Sequence, residues 1–198
     1  MKNIITIIVI VIFSSNCIAQ SPVISVKKWY KEQAGTYYKD LNNEMDAFVG
    51  TWLYTEGNTS LKIKLKKETM HYNGKYYVDL MVGEYQYIKN GVELINTLNN
   101  FDLMNGYEHR VYGKSLYQSC IPYPASDCVE GETRLSLSFF DTLKDFSYTF
   151  IFHKREVNGQ PALRAFNVCR YYNDVPLGTT PPEPTMPCQN EILLLKVE

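Results

Sequence analysis

Between Leu61 and Lys66 the chain alternates apolar and basic side chains without a break, Leu-Lys-Ile-Lys-Leu-Lys. Successive side chains on a strand point to opposite faces, so Leu61, Ile63 and Leu65 share one face and Lys62, Lys64 and Lys66 the other. A helix of 3.6 residues per turn would smear both sets around its circumference. The stretch therefore reads as a strand with one buried face and one solvated face. Its lysine row also discourages edge-to-edge association if the strand lies at a sheet edge. By the same parity, Phe48, Gly50, Trp52 and Tyr54 line one face of the strand before it.

The pattern continues to the end of the chain. Asn73-Gly74, Asn90-Gly91 and Asn158-Gly159 each sit between strand-like runs, and Asn-Gly suits the type I′ hairpin turn, whose two central residues need positive φ. The runs "HRVYGKSLY", "TRLSLSFFD", "FSYTFIFHKREV" and "EILLLKV" add further strands. The connector Thr142 to Asp145 joins the second of these to the third. The reading is all-β: about nine antiparallel strands in up-and-down order, with no helix after residue 47. So many strands must curl, close or split, which predicts a barrel or strongly rolled sheet, with Gly83 at a bend or bulge in a long strand. Leu135/Leu137/Phe139 and Phe146/Tyr148/Phe150/Phe152 are its bulky inward rows. Residues 20–46 read as an irregular leader pinned by Trp29, Tyr37 and Tyr38, with a helical turn near Leu41 to Ala47. Residues 47–198 read as one domain.

Residues 1–19 have the layout of a secretory signal: Lys2, an apolar run from Ile4 to Phe13, then small and polar residues ending at Ala19. The run is too short to span a membrane. Cleavage after Ala19 predicts a secreted or periplasmic protein. The alternative is a lipid anchor at Cys17, although Ser14 and Asn16 occupy places where lipoprotein signals carry an aliphatic and a small residue. Removing nineteen of the 198 residues leaves 179, and losing Lys2 leaves 19 basic against 21 acidic side chains. That near-neutral balance gives no electrostatic reason to bind nucleic acid, and a monomer is expected. The 16 tyrosines suit a β-rich chain, with an aromatic binding face as the alternative.

Either route for Cys17 leaves Cys120, Cys128, Cys169 and Cys188, an even set that reads as disulfides in an exported chain, with three possible connectivities. The spacing favours Cys120 with Cys128 and Cys169 with Cys188, each pair bracketing a proline-containing loop. The second of these loops includes the Pro/Thr-rich segment 176–187. No C-x-x-C occurs, and His71, His109 and His153 show no ligand spacing with the cysteines, so no metal or other cofactor is expected. No phosphate loop, nucleophile elbow or H-E-x-x-H is present. Asp79 and Glu84 fall on opposite faces of one strand and are unsuited to act as a pair. His153 reads as a histidine on the polar side of a half-buried strand. Asn58-Thr59-Ser60 is a sequon that would accept a glycan in a eukaryotic protein and otherwise reads as a turn. No enzyme activity is expected. A small apolar or aromatic molecule or a glycan is the candidate partner, and a fully packed structural or interaction barrel of the cell envelope is the alternative.

Phe48-Val49-Gly50-Thr51-Trp52 resembles the first barrel strand of lipocalins and fatty-acid-binding proteins. That resemblance implies a calycin/lipocalin-like barrel whose base is closed by Gly50, Trp52 and a basic residue from a late strand, Arg164 or Lys196. Over most of its length, through "YYKDLNNEMDAFVGTWLYTEGNTSLKIKLKK", "YYVDLMVGEYQYIKNGVELINTL" and "RLSLSFFD", the chain is similar to an uncharacterised family of secreted Bacteroidota proteins. That likeness implies export and no mechanism.

Overall fold

The computed structural model describes residues 21–121, 125–144, 146–171 and 183–198. The signal-like segment, Cys17 and most of the Pro/Thr-rich segment lie outside the described residues. The strands are β1 (Val23–Ser25), β2 (Tyr37–Lys39), β3 (Gly50–Glu56), β4 (Thr59–Tyr72), β5 (Tyr77–Lys89) and β6 (Val92–Asn96), then β7 (Val111–Tyr117), β8 (Arg134–Phe140), β9 (Phe146–Val157), β10 (Gln160–Tyr171) and β11 (Glu191–Lys196). Helical structure among the described residues is confined to short 3-10 turns, one of which, Glu44–Phe48, leads into β3.

Eight strands close an antiparallel barrel in the order β3-β4-β5-β7-β8-β9-β10-β11, returning to β3. Its closure runs through β5. On one edge β5 pairs with β4 along its length. The other edge is shared in series by β2 at Tyr77 and Val78, β7 from Met81 to Gly83, and β6 from Gln86 to Lys89. A Cβ on Gly83 would lie 2.2 Å from the Lys64 carbonyl, so glycine is required there for close approach of β4. Gly83 itself stays in register. The irregularity in the β4–β5 pairing lies between Glu68 and His71, where Met70 adopts φ 56°.

The turns divide by geometry. Asn90-Gly91 and Asn158-Gly159 both place asparagine and glycine at positive φ, as type I′ requires. At Asn73-Gly74 only the glycine is positive, and the Asn73 side chain instead accepts hydrogen bonds from the Lys75 and Tyr76 amides.

The leader is more ordered than its sequence suggests. β1 pairs in parallel with β2, and β2 in parallel with β5. Three-residue strands joined by non-local parallel contacts leave no periodic signal, so hydrophobic pattern alone does not reveal them. Asp79 anchors this arrangement from the barrel side. Its carboxylate accepts from the Tyr37 hydroxyl at 2.5 Å, the Asp40 amide at 2.8 Å and the Met70 amide at 3.1 Å. Asp40 in turn accepts from the Glu44 and Met45 amides at the start of the 3-10 turn. Glu84 lies on the opposite face of β5, as parity requires.

The interior is filled. Leu61, Ile63 and Leu65 are buried, as are Leu135, Leu137, Phe139, Phe146, Tyr148, Phe150 and Phe152. Phe139 and Phe150 meet with ring centroids 4.4 Å apart, and Phe150 stacks on Phe152 at 5.7 Å. The lysine row outside β4 is less solvated than its pattern implies. Lys64 and Lys66 lie over the Phe101 ring at 4.2 and 5.0 Å, and Lys66 donates to the Phe101 carbonyl. The 97–110 connection folds back over that face.

Candidate functional site

At one end the barrel is closed. Trp52 is 2% exposed and donates from Nε1 to the Phe48 carbonyl at 2.8 Å. The ammonium of Lys196 lies 5.4 Å from its ring centroid. Gly50 makes this contact possible: its φ is +133°, and a Cβ there would lie 2.7 Å from the Lys196 side chain. The basic residue at the base is therefore Lys196. Arg164 faces outward on β10 with Nε 3.5 Å from Asp127.

The opposite end carries a cleft whose origin is the pairing of β3 with β11. That pairing has two register partners, Leu53 with Leu195 and Trp52 with Lys196, extended at the base by bonds between Thr51 and residues 197 and 198. Toward the rim the two strands part. Asn167 holds the start of β11 on the β10 side, because its amide donates to the Pro187 carbonyl and its Oδ1 accepts from the Asn190 amide at 2.8 Å. The gap is a cleft of about 70 Å³ lined by Tyr54, Glu56, Tyr87, Phe150, Met186 and Asn190, among others. The Tyr54 hydroxyl donates to Glu56 at 2.6 Å. Burial, then this carboxylate, pushes the Tyr54 phenol up to about 12, so the proton stays on the phenol. Strand parity puts Tyr54 on one face with Trp52 but does not reveal this site, since no local pattern records where two distant strands diverge.

The disulfides Cys120–Cys128 and Cys169–Cys188 are both formed, with Cα separations of 5.9 and 5.5 Å. The first belongs to a connection that covers the outer face of β8, β9 and β10. His153 is thereby fully buried rather than half-buried, because this connection packs over a face that strand periodicity marks only as polar. Its Nε2–H donates to Asp127 at 3.0 Å. Arg155 donates from Nε to Asp127 at 2.8 Å and from its two terminal nitrogens to Glu132. The Arg155 bonds hold the Asp127 carboxyl well below the usual carboxylate range, helped by His153 and against the effect of burial. Burial pulls the His153 imidazole down, with Asp127 opposing it less strongly.

Both shifts make this cover sensitive to acid. An unfolded histidine takes up a proton below about 6.5, whereas buried His153 resists it, so stability falls as pH drops through that value. Asp127 contributes stability that is present above the ordinary carboxylate pKa and lost as pH falls through its depressed folded value. Thermal melts are expected to show stability falling between pH 7 and 5.5, by at most about 1.4 kcal/mol per pH unit for one proton. His153→Gln is expected to flatten that limb, and an identical slope in the variant would count against this assignment.

A second buried group lies under the 97–110 connection. His109 donates from Nδ1 to Glu84 at 3.0 Å, and its Nε2 faces Glu68 at 3.5 Å. On a third side, Lys114 donates to the Tyr76 hydroxyl at 2.5 Å and lies 4.6 Å from the Trp29 ring centroid. Among the described residues no group of three or more His, Cys, Asp or Glu side chains is placed to hold a metal ion. None of their helices is long and apolar enough to cross a membrane.

A family model matches residues 1–194. The chain belongs to DUF6705, a family of unknown function. No curated protein and no solved structure matches it. DUF6705 is thus represented here by an all-β chain built on a closed eight-stranded antiparallel barrel with added edge strands.

Proposed function

We propose that this member of DUF6705 is an exported, non-catalytic recognition module that works from its rim and outer surface rather than by enclosing a ligand. The filled interior carries the reading. Ligand-enclosing pockets occupy roughly 300–1,000 Å³, whereas the cleft between β3 and β11 offers about 70 Å³. The hollows of about 470 and 530 Å³ are open depressions on the outer surface, beside Lys62 and Gln86 and beside Val23 and Lys28. Eight strands leave an interior that side chains can just fill, and here Phe139, Phe150 and Phe152 are fully packed. Export is supported by the Lys2, apolar-run and Ala19 layout and by two disulfides, which persist in oxidising compartments. The likeness to secreted Bacteroidota proteins suggests the bacterial envelope or its exterior. The absence of catalytic motifs supports a binding role.

Protein recovered from its native host is expected to begin at Gln20 by intact mass and to give no saturable signal with a fluorescent fatty acid. A diacylglyceryl group on Cys17 would overturn free export. Stoichiometric uptake of the fatty acid would overturn the packed barrel.

A further inference from the structure

The rim cleft has a one-sided chemistry. Among its described lining residues there is no lysine, arginine or histidine. Glu56 supplies a carboxylate whose partner among the described residues is the Tyr54 hydroxyl, and it makes no ion pair there. The Tyr54 proton is committed to that carboxylate, which leaves the phenol oxygen as an acceptor toward the cleft. Tyr87 is 3% exposed, and burial raises its phenol with no hydrogen-bonding partner contributing. Phe150 and Met186, both buried, form an aromatic and thioether floor. Glu191 and Asp141 are engaged elsewhere, Glu191 accepting from the Ser126 hydroxyl and Asp141 from the Tyr148 hydroxyl.

A negative charge beside phenol oxygens, ring faces and a soft sulfur attracts a cation with apolar substituents. Ring faces stabilise such cations by about 0.5–2 kcal/mol, and the Glu56 carboxylate, exposed at the rim, adds a solvent-screened Coulomb attraction. The volume sets the size. About 70 Å³ falls well short of the roughly 300–1,000 Å³ of a ligand-enclosing pocket, so the cleft suits a head group rather than a whole ligand. Resting on the reading of a rim-recognition module, we infer that this cleft binds the ammonium head of an organic cation, an amine or quaternary ammonium group. Glu56 is its counter-ion, and Tyr54, Tyr87 and Phe150 are its aromatic walls. The head group belongs either to a small molecule or to a lysine side chain of a protein partner.

The test is titration of the folded protein, followed by NMR, with choline, its uncharged isostere 3,3-dimethylbutan-1-ol, and Nα-acetyl-lysine methylamide. Choline or the lysine amide is expected to saturate with millimolar affinity and to move the Tyr87 and Met186 signals, with the neutral isostere at least about tenfold weaker. Saturation by choline alone assigns a small-molecule source, and tighter binding of the lysine amide assigns a protein source. Glu56→Gln is expected to weaken binding about tenfold with the melting temperature unchanged, and Tyr87→Phe to weaken it less. Equal binding of choline and the isostere, or binding of none of the three, overturns the cation assignment. That failure leaves the packed-barrel reading standing, because only uptake of the fatty acid overturns the latter.

Discussion

Replacing Trp52 with alanine is expected to destabilise the protein by about 3–5 kcal/mol, the usual cost of truncating a buried large aromatic. Three features place it at the upper end of that range. The indole is 2% exposed, so its removal leaves a cavity at the barrel base rather than a surface dent. Its Nε1–H satisfies the Phe48 carbonyl, which the variant strands in a buried setting. Its ring also supports the Lys196 ammonium, and Lys196 belongs to the short stretch that zips β11 to β3. For a domain of this size the melting temperature should fall by roughly 10 °C. An unchanged midpoint in thermal or denaturant unfolding would show that the base does not depend on the indole.

The double variant Cys169→Ser/Cys188→Ser carries the second large expected effect. The loop-entropy model assigns about 3.3 kcal/mol to a cross-link closing a loop of roughly twenty residues, against about 2.5 kcal/mol for the Cys120–Cys128 loop. Location adds to this difference. Cys169 sits on β10 and Cys188 three residues before β11, the strand whose hold on β3 rests on two register pairs. Losing the clip should therefore fray β11 before the rest of the barrel and expose two strand edges. Hydrogen exchange is the discriminating measurement. Amides of Ile192 to Leu195 are expected to lose protection selectively in this double variant and not in Cys120→Ser/Cys128→Ser. Uniform loss across the barrel in both would mean that the clip acts on global stability alone.

Local chemistry in the chain determined the strand content, the inward rows and the turns. The alternation from Leu61 to Lys66 assigns each side chain to a face because a strand has a period of two. Asn90-Gly91 and Asn158-Gly159 form type I′ turns because their φ requirement is local. The cysteine pairs are eight and nineteen residues apart, within the reach of single connections. The glycine at position 50 and Trp52 belong to the same class, but their basic partner does not. Lys196 rather than Arg164 reaches the ring, since which late strand closes the barrel and in what register is a long-range matter.

Tertiary structure decided what covers each face and where the barrel opens. Periodicity records that His153, Glu84 and Lys64 point outward, and it carries no information about the connections that fold back over them. Those connections turn a polar face into a buried one, where His153 must pair with Asp127 and Glu84 with His109. The rim cleft exists because Asn167 draws the start of β11 toward β10 while β3 continues to Glu56. The two segments are more than a hundred residues apart in the chain, and only the closed ring of hydrogen-bonded strands brings them to one site.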